Sequence, residues 1–427
     1  TMSPSRKLRA IALPLLVLLS SVTGAQNLPS TKPEDVGLSS SRLARIGSWM
    51  QAEVNAKRVP GAIVMVVRQG KVAYYEQVGQ QDVASQRPMA RDSLFRIYSM
   101  TKPLVSVAAM MMVEEGKLML ETPIARYIPA FANSKVGVEK VNAATGSKTL
   151  ELEAMRRPIT VQDLLRHTSG LTYGFFGDSL VKKAYLDAGV GVSGDFTNEE
   201  FANKLAALPL HYQPGSTWDY SYSTDVLGRV LEVVDGKPLY ALLKDRLLDP
   251  LEMKDTSFYV TDPVKQTRIA EPLPDDRVIG AGAMVADPRI AMKFESGGGG
   301  MVSTADDYSR FLLMLSSGGS YKGKRILSPR TIDFMASDHL GSTVATTPLY
   351  LPGAGHGFGL GFAVRKVTGE SPWITPAGDY WWGGAGGTYF WVDPKSDMFV
   401  VFMMQSPKMR TIYRSVLRNM VYAAVEK

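Results

Sequence analysis

In SSSRLARIGSWMQAEVNAKR (39–58) apolar side chains recur every three or four positions, with Leu43, Ile46, Trp49, Met50 and Val54 on one stripe. That spacing predicts an amphipathic helix, closed by Pro60–Gly61. The pattern then changes. AIVMVVR (62–68) and KVAYYEQVG (71–79) are rich in β-branched and aromatic residues and are joined by Gln69–Gly70, which predicts a hairpin. A helix is expected from about Ser99 to Glu115, stopped by Gly116. From 117 to about 290 the pattern is mainly helical. TVQDLLRHTSG has Thr160 as a cap, Asp163 three residues on and Gly170 as a stop, and TDVLGRVLEVVDG (224–236) and LYALLKDRLLDPLEM (239–253) add two more helices. Strand character returns at GGMVST (299–304), followed by a helix from Ser303, strands TYFWVD (388–393) and DMFVVFMMQ (397–405), and a last amphipathic helix through YRSVLRNMVYAAV (413–425). Strands at both ends with helices between them predict one antiparallel sheet built from the N- and C-terminal segments. The expected fold is thus α/β (α+β): residues 39–120 and 290–427 form one domain, and a mostly helical region, 121–289, is inserted.

Composition bounds the function. The 427 residues are 45% hydrophobic and 21% charged, as in an ordinary globular protein. The first 25 residues differ: a basic start (SRKLR), a short apolar core (AIALPLLVLLSSV) and a small-residue end predict a secretory signal peptide cleaved after Ala25, hence a periplasmic or secreted protein. Loss of Arg6, Lys7 and Arg9 with that segment lowers the net charge from +7 to +4. No dense Lys/Arg run follows, so neither a nucleic-acid partner nor a membrane span after signal removal is expected. There are no cysteines, which excludes disulfides and thiol nucleophiles. Four histidines (His167, His211, His339, His356) show no helical zinc spacing, so no metal and no cofactor are expected.

The candidate chemistry begins at YSMTKP (98–103). Ser99 and Lys102 lie one helical turn apart ahead of the apolar run VSVAAMMMVEEG, so both side chains share one face at a helix start. The positive end of the helix favours a negative charge on Ser99 and disfavours a proton on Lys102. The same spacing occurs in SLVK (179–182), in a Gly- and Asp-containing segment with no apolar helix after it, and is read there as chance. Further on, PGSTWDYSYSTDVLG (214–228) carries Tyr220 ahead of a helix, and YWWGGAGGTYFWV (380–392) places glycines directly before a strand.

The order Ser-x-x-Lys, then Tyr, then a Gly-rich strand start resembles the serine β-lactamase and penicillin-binding protein superfamily. It looks most like the class C β-lactamases and the β-lactamase-like serine esterases (family VIII carboxylesterases). The likeness runs from PGAIVMVVRQGK to the last helix and includes LLRHTSGL (164–171), DPLEMKDTSF (249–258) and GGGGMVSTADDYSRF (297–311). It implies Ser99 as nucleophile, with Lys102 and Tyr220 as base and acid, the principal base being open between the two. It also implies an oxyanion hole from the backbone N–H groups of Ser99 and Ala385, with Trp382, Gly383 and Gly384 in the place of Lys-Thr-Gly.

Two departures bear on substrate. Tyr222 stands where β-lactamases carry Asn, and Trp382 where they carry the lysine that faces a carboxylate. An indole offers apolar area and one N–H donor but no charge. With Tyr222, Trp382, Gly383 and Gly384 as substrate contacts, the site tilts towards short neutral esters, small molecules cleaved through an acyl-enzyme. The alternatives are a β-lactamase, a D-amino-acid peptidase or an acyltransferase of the same superfamily, and, from another class, a non-catalytic binding protein. The oligomeric state is not legible. His167 is expected to be structural, and the run 297–300 to make a tight approach beside the active-site floor.

Overall fold

The computed structural model describes residues 27–191, 194–280 and 283–427. The expected signal peptide lies outside the described residues. Eleven α-helices are seen among them: α1 (Ser40–Asn55), α2 (Thr101–Glu114), α3 (Val161–Leu165), α4 (Leu180–Asp187), α5 (Asn198–Ala206), α6 (Ser223–Asp235), α7 (Leu239–Leu243), α8 (Pro263–Gln266), α9 (Ala305–Ser316), α10 (Pro329–Met335) and α11 (Arg410–Ala423). Seven of them, α1, α3, α4, α5, α8, α9 and α10, start at side-chain caps that the sequence carries. Ser39 accepts from the Arg42 N–H, Thr160 and Asp163 form a reciprocal capping box, and Thr304 accepts from the Asp307 N–H.

Eight antiparallel strands make the main sheet: β1 (Gly61–Arg68), β2 (Lys71–Asp82), β3 (Arg87–Pro88), β4 (His356–Phe358), β5 (Ala363–Arg365), β6 (Tyr380–Gly383), β7 (Tyr389–Asp393) and β8 (Met398–Met404). Their spatial order is β4-β5-β6-β7-β8-β1-β2-β3. The N-terminal hairpin therefore docks beside the C-terminal strands, with Val64 opposite Phe402. Gln69 and Gly70 both have positive φ, 53° and 70°, as the predicted tight hairpin turn requires. Every residue of β1 and β8 is buried, so these strands read as continuous apolar runs and not as an alternation. The GGMVST strand is shorter than its sequence implies: only Val302–Ser303 pair, and with Phe95–Arg96 and not with the main sheet.

Three features bring the site together. The Phe95–Arg96 ribbon is extended by a bond from the Ile97 N–H to the Met301 carbonyl (3.0 Å), which fixes the approach to Ser99. Helix α6 packs on α2 and α3, so the chain entering α6 lies beside the chain entering α2. At the end of β6, Gly384 has no room for a side chain, since a Cβ would stand 2.4 Å from the Ile97 carbonyl oxygen. The glycine lets the strand end close against the turn that carries Ser99.

Candidate active site

Ser99 lies in a single 3-10 turn, Tyr98–Met100, that runs into α2. Tyr98 before it has φ +42°, unusual for a bulky residue, and is held by burial and by the Ala286 N–H donating to its hydroxyl (3.1 Å). Ser99 itself is half-buried. Because α2 is apolar almost all round, Lys102 emerges inside the core and is 0% exposed. A buried ammonium needs partners for its three N–H groups. Lys102 Nζ donates to Ser99 Oγ (3.3 Å), to the Tyr173 hydroxyl (3.0 Å) and to the Gly298 carbonyl (2.7 Å).

The third acceptor explains the glycine run. Asp225 of α6 accepts from the Gly298 N–H (3.0 Å) and the Ser296 hydroxyl (2.5 Å), which aims the Gly298 carbonyl at Lys102. A Cβ on Gly298 would lie 2.3 Å from the Asp225 carboxylate, so only glycine fits. Burial raises the Asp225 carboxyl above the usual carboxylate range, and the Lys102 charge draws it back.

Tyr220 lies three residues ahead of α6, and its hydroxyl is 2.6 Å from Ser99 Oγ. Its ring lies under the Lys102 ammonium, 4.5 Å from Nζ to the centroid. Rings of His167, Tyr173, Phe176, Trp218 and Trp382 surround it, with centroids 5.0–6.0 Å away. Trp382 is 3% exposed, and its indole N–H donates to the Tyr220 hydroxyl (3.2 Å). The indole expected as a substrate contact is thus turned largely onto the tyrosine. Gly383 and Ala385 are half-buried at the end of β6. Arg414 of α11 supports this corner by donating to the Gly384 carbonyl (2.8 Å), and a Cβ on Gly383 would stand 2.5 Å from its guanidinium.

Tyr222 does not join the cluster. Its ring is buried against Tyr173, Tyr185 and Phe201, and its hydroxyl donates to the Val190 carbonyl (3.0 Å). It packs behind Tyr173 and not in the cluster around Ser99, where the sequence reading set it, since Tyr173, Phe201 and the Val190 carbonyl enclose it. His167 is buried, with Nδ1 3.2 Å from the Ser221 hydroxyl, and burial together with the Lys102 charge holds it well below the usual histidine range. A helix, α4, does follow the second Ser-x-x-Lys copy, but it buries only Val181, Lys182 and Tyr185 and is not an apolar helix like α2. Ser179 is the N-cap of α4, accepting from the Lys182 N–H (3.0 Å).

Sequence reasoning missed Tyr173 and the partner role of Trp382. Tyr173 sits in LTYGFF (171–176), directly after the LLRHTSGL phrase, and nothing in its spacing marks it. Burial holds its phenol well above the usual tyrosine range, so it meets Lys102 as a neutral hydroxyl.

This constellation has counterparts in known proteins. The β-lactamase family pattern matches residues 46–422. The chain belongs to the β-lactamase family. Within reach of it are an uncharacterized protein of Mycobacterium tuberculosis, 36% identical over 82% of this chain and 87% of that one, and Esterase EstB of Burkholderia gladioli, 30% identical over 90% of this chain and 96% of that one. Among solved structures, EstCE1, described as a hydrolase with promiscuous acyltransferase activity, matches with a TM-score of 0.73 at 29% identity, covering 90% of this chain and 99% of that one. The α/β arrangement around an antiparallel sheet is thus the β-lactamase and penicillin-binding-protein fold.

Proposed function

We propose that this β-lactamase-family protein is a serine carboxylesterase for short acyl chains, with Ser99 as its nucleophile. The observation that carries the reading is Ser99 Oγ held 2.6 Å from the Tyr220 hydroxyl, with Lys102 Nζ 3.3 Å from the same oxygen. Likeness to Esterase EstB supports esters as the substrate class.

The geometry favours Tyr220 as the group that exchanges the proton. As phenolate, its oxygen faces the Trp382 N–H and is balanced by the neighbouring Lys102 ammonium, whose three hydrogen bonds suit the charged form. Ser99 Oγ bonds to the ester carbonyl carbon while its proton passes to Tyr220. Tyr220 returns that proton to the departing alkoxide, and an acyl-serine remains. Water then attacks the acyl carbon by the same exchange and releases the acid. The Ser99 and Ala385 N–H groups receive the negative charge on the carbonyl oxygen in both steps.

The test is a paired assay with a chromogenic butyrate ester and a chromogenic cephalosporin. Butyrate turnover that disappears in Ser99→Ala is expected. Strong cephalosporin turnover with negligible ester cleavage reverses the ranking in favour of a β-lactamase. An alcohol in place of water gives acyl transfer, a second reading that the likeness to EstCE1 favours, and a transesterified product in butanol-containing buffer tests it. We also propose export through residues 1–25; retention of the full-length chain in the cytoplasm on fractionation overturns it.

A further inference from the structure

The chain buries a second lysine close to the first, and the proposed reaction makes no use of it. Lys182 of α4 is 3% exposed. Its ammonium donates to the Thr172 hydroxyl (2.6 Å) and the Tyr173 carbonyl (3.3 Å), and lies 3.8 Å from the Asp219 carboxylate. Asp219 in turn is 2.7 Å from His211 Nδ1, and its N–H donates to the His167 carbonyl (3.0 Å). A methionine would fill the same volume without the desolvation that a buried ammonium suffers. The placement of the partners gives the charge a purpose. Tyr173 carries the hydroxyl that meets Lys102, and Asp219 immediately precedes Tyr220, whose hydroxyl meets Ser99. Thr172–Tyr173 and Asp219–Tyr220 belong to separate loops, and Lys182 touches both from the side away from Ser99, besides Lys102 and the direct Tyr173–Tyr220 ring contact. The loop is also pressed onto α4, since a Cβ at Gly174 would stand 3.0 Å from the Lys182 carbonyl oxygen.

We propose that Lys182 is a positioning residue that ties the Tyr173 loop to Asp219 of the Tyr220 loop and so sets the Tyr173 hydroxyl against Lys102. The clamp rests on the reading of Ser99, Lys102 and Tyr220 as the reacting group. Its action runs through Tyr173, so removing Lys182 and removing the Tyr173 hydroxyl must overlap in effect.

A double-mutant cycle of Lys182→Met and Tyr173→Phe tests this, read on butyrate kinetics and on the rate at which a fluorophosphonate labels Ser99, followed by mass spectrometry. Labelling needs an activated serine but no ester substrate. Lys182→Met is expected to slow labelling and kcat about 10- to 100-fold with KM nearly unchanged, the scale of a misplaced reacting group. In the Tyr173→Phe background the further loss should shrink to about threefold or less, because contacting residues couple. An equal fold-loss in both backgrounds, or unchanged labelling in Lys182→Met, overturns the clamp. If Lys182→Met does not fold, Thr172→Val takes its place in the cycle, with the same two outcomes. Absent butyrate turnover with normal labelling defeats the esterase reading alone and leaves the clamp to be decided by the labelling rates.

Discussion

Residues 99–102 and 179–182 share the spacing Ser-x-x-Lys, and both lysines are buried, yet the two turns do opposite things with the same groups. At 99 the serine lies within a 3-10 turn, and the lysine ammonium reaches its hydroxyl at 3.3 Å. At 179 the serine backbone is extended, φ −166° and ψ 162°, and its hydroxyl caps α4 by accepting from the Lys182 backbone N–H. The Lys182 ammonium then turns to Thr172 and Asp219. Spacing alone sets which residues can meet. The backbone conformation of the serine decides whether the hydroxyl faces the lysine side chain or its N–H. Surroundings complete the contrast, since only the first turn closes on Tyr220 and on the Gly384 corner.

The contrast breaks first at the serines. Ser99→Ala should lower kcat/KM for a butyrate ester by about four orders of magnitude or more, as loss of a nucleophile does. Ser179→Ala should leave kcat/KM essentially unchanged. Wild-type turnover in Ser99→Ala would show that the two turns have been assigned the wrong way round. The lysines come next. Lys102→Met leaves the Tyr173 hydroxyl and Gly298 carbonyl without their donor and should reduce kcat by about 10²- to 10⁴-fold, the range of a lost proton-transfer partner. A loss no larger than that of Lys182→Met would erase the distinction between a reacting lysine and a positioning one.

A smaller effect separates the neighbourhoods of the two turns. Trp382→Phe keeps a ring beside Tyr220 but removes the N–H donor, so kcat should fall about three- to tenfold, matching a hydrogen bond of about 1 kcal/mol. Equal activity would return Trp382 to a packing role. Trp382→Lys, assayed with the same butyrate ester and cephalosporin, puts an ammonium where a carboxylate could pair with it, and the ratio of ester to cephalosporin kcat/KM is expected to drop. At Ser179, Ser179→Ala should reduce unfolding free energy by about 1 kcal/mol through loss of the cap, read by urea titration.

The smallest effect is on pH. Burial holds the Lys182 ammonium below the usual lysine range, with Asp219 offsetting part of the shift. The unfolded chain therefore keeps this proton to higher pH than the folded one, and stability rises with pH through the window that ends at the ordinary lysine value of 10.5. Wild type should gain stability relative to Lys182→Met as pH rises through that window, and a constant gap would contradict the shift.

Much of this architecture is legible in the chain. The β1–β2 hairpin, α1, α6, β7, β8 and α11 follow from apolar periodicity, turn residues and caps, because each buries a face that its own sequence supplies. The short strands β4, β5 and β6 are not. They have three or four residues each, and His-Gly-Phe or Tyr-Trp-Trp-Gly shows no alternation because the positions are buried on both faces. Ser99, Lys102 and Tyr220 come together as their spacing and order predict, whereas Tyr222 packs apart from them and nothing local marks Tyr173. Each of those two tyrosines is defined by what another segment brings against it.

The sequence by itself determined the local pieces: where helices start, which strands are apolar, and that a serine and a lysine lie one turn apart ahead of a buried helix. Family membership too is written in the order of the motifs. Tertiary structure decided which of two identical spacings brings its serine hydroxyl and lysine ammonium together. Hydrogen-bond partners of a buried ammonium come from residues 71 and 196 positions away, Tyr173 and Gly298 for Lys102. A charge inside a core is tolerated only where such distant acceptors converge, and no local pattern encodes that convergence.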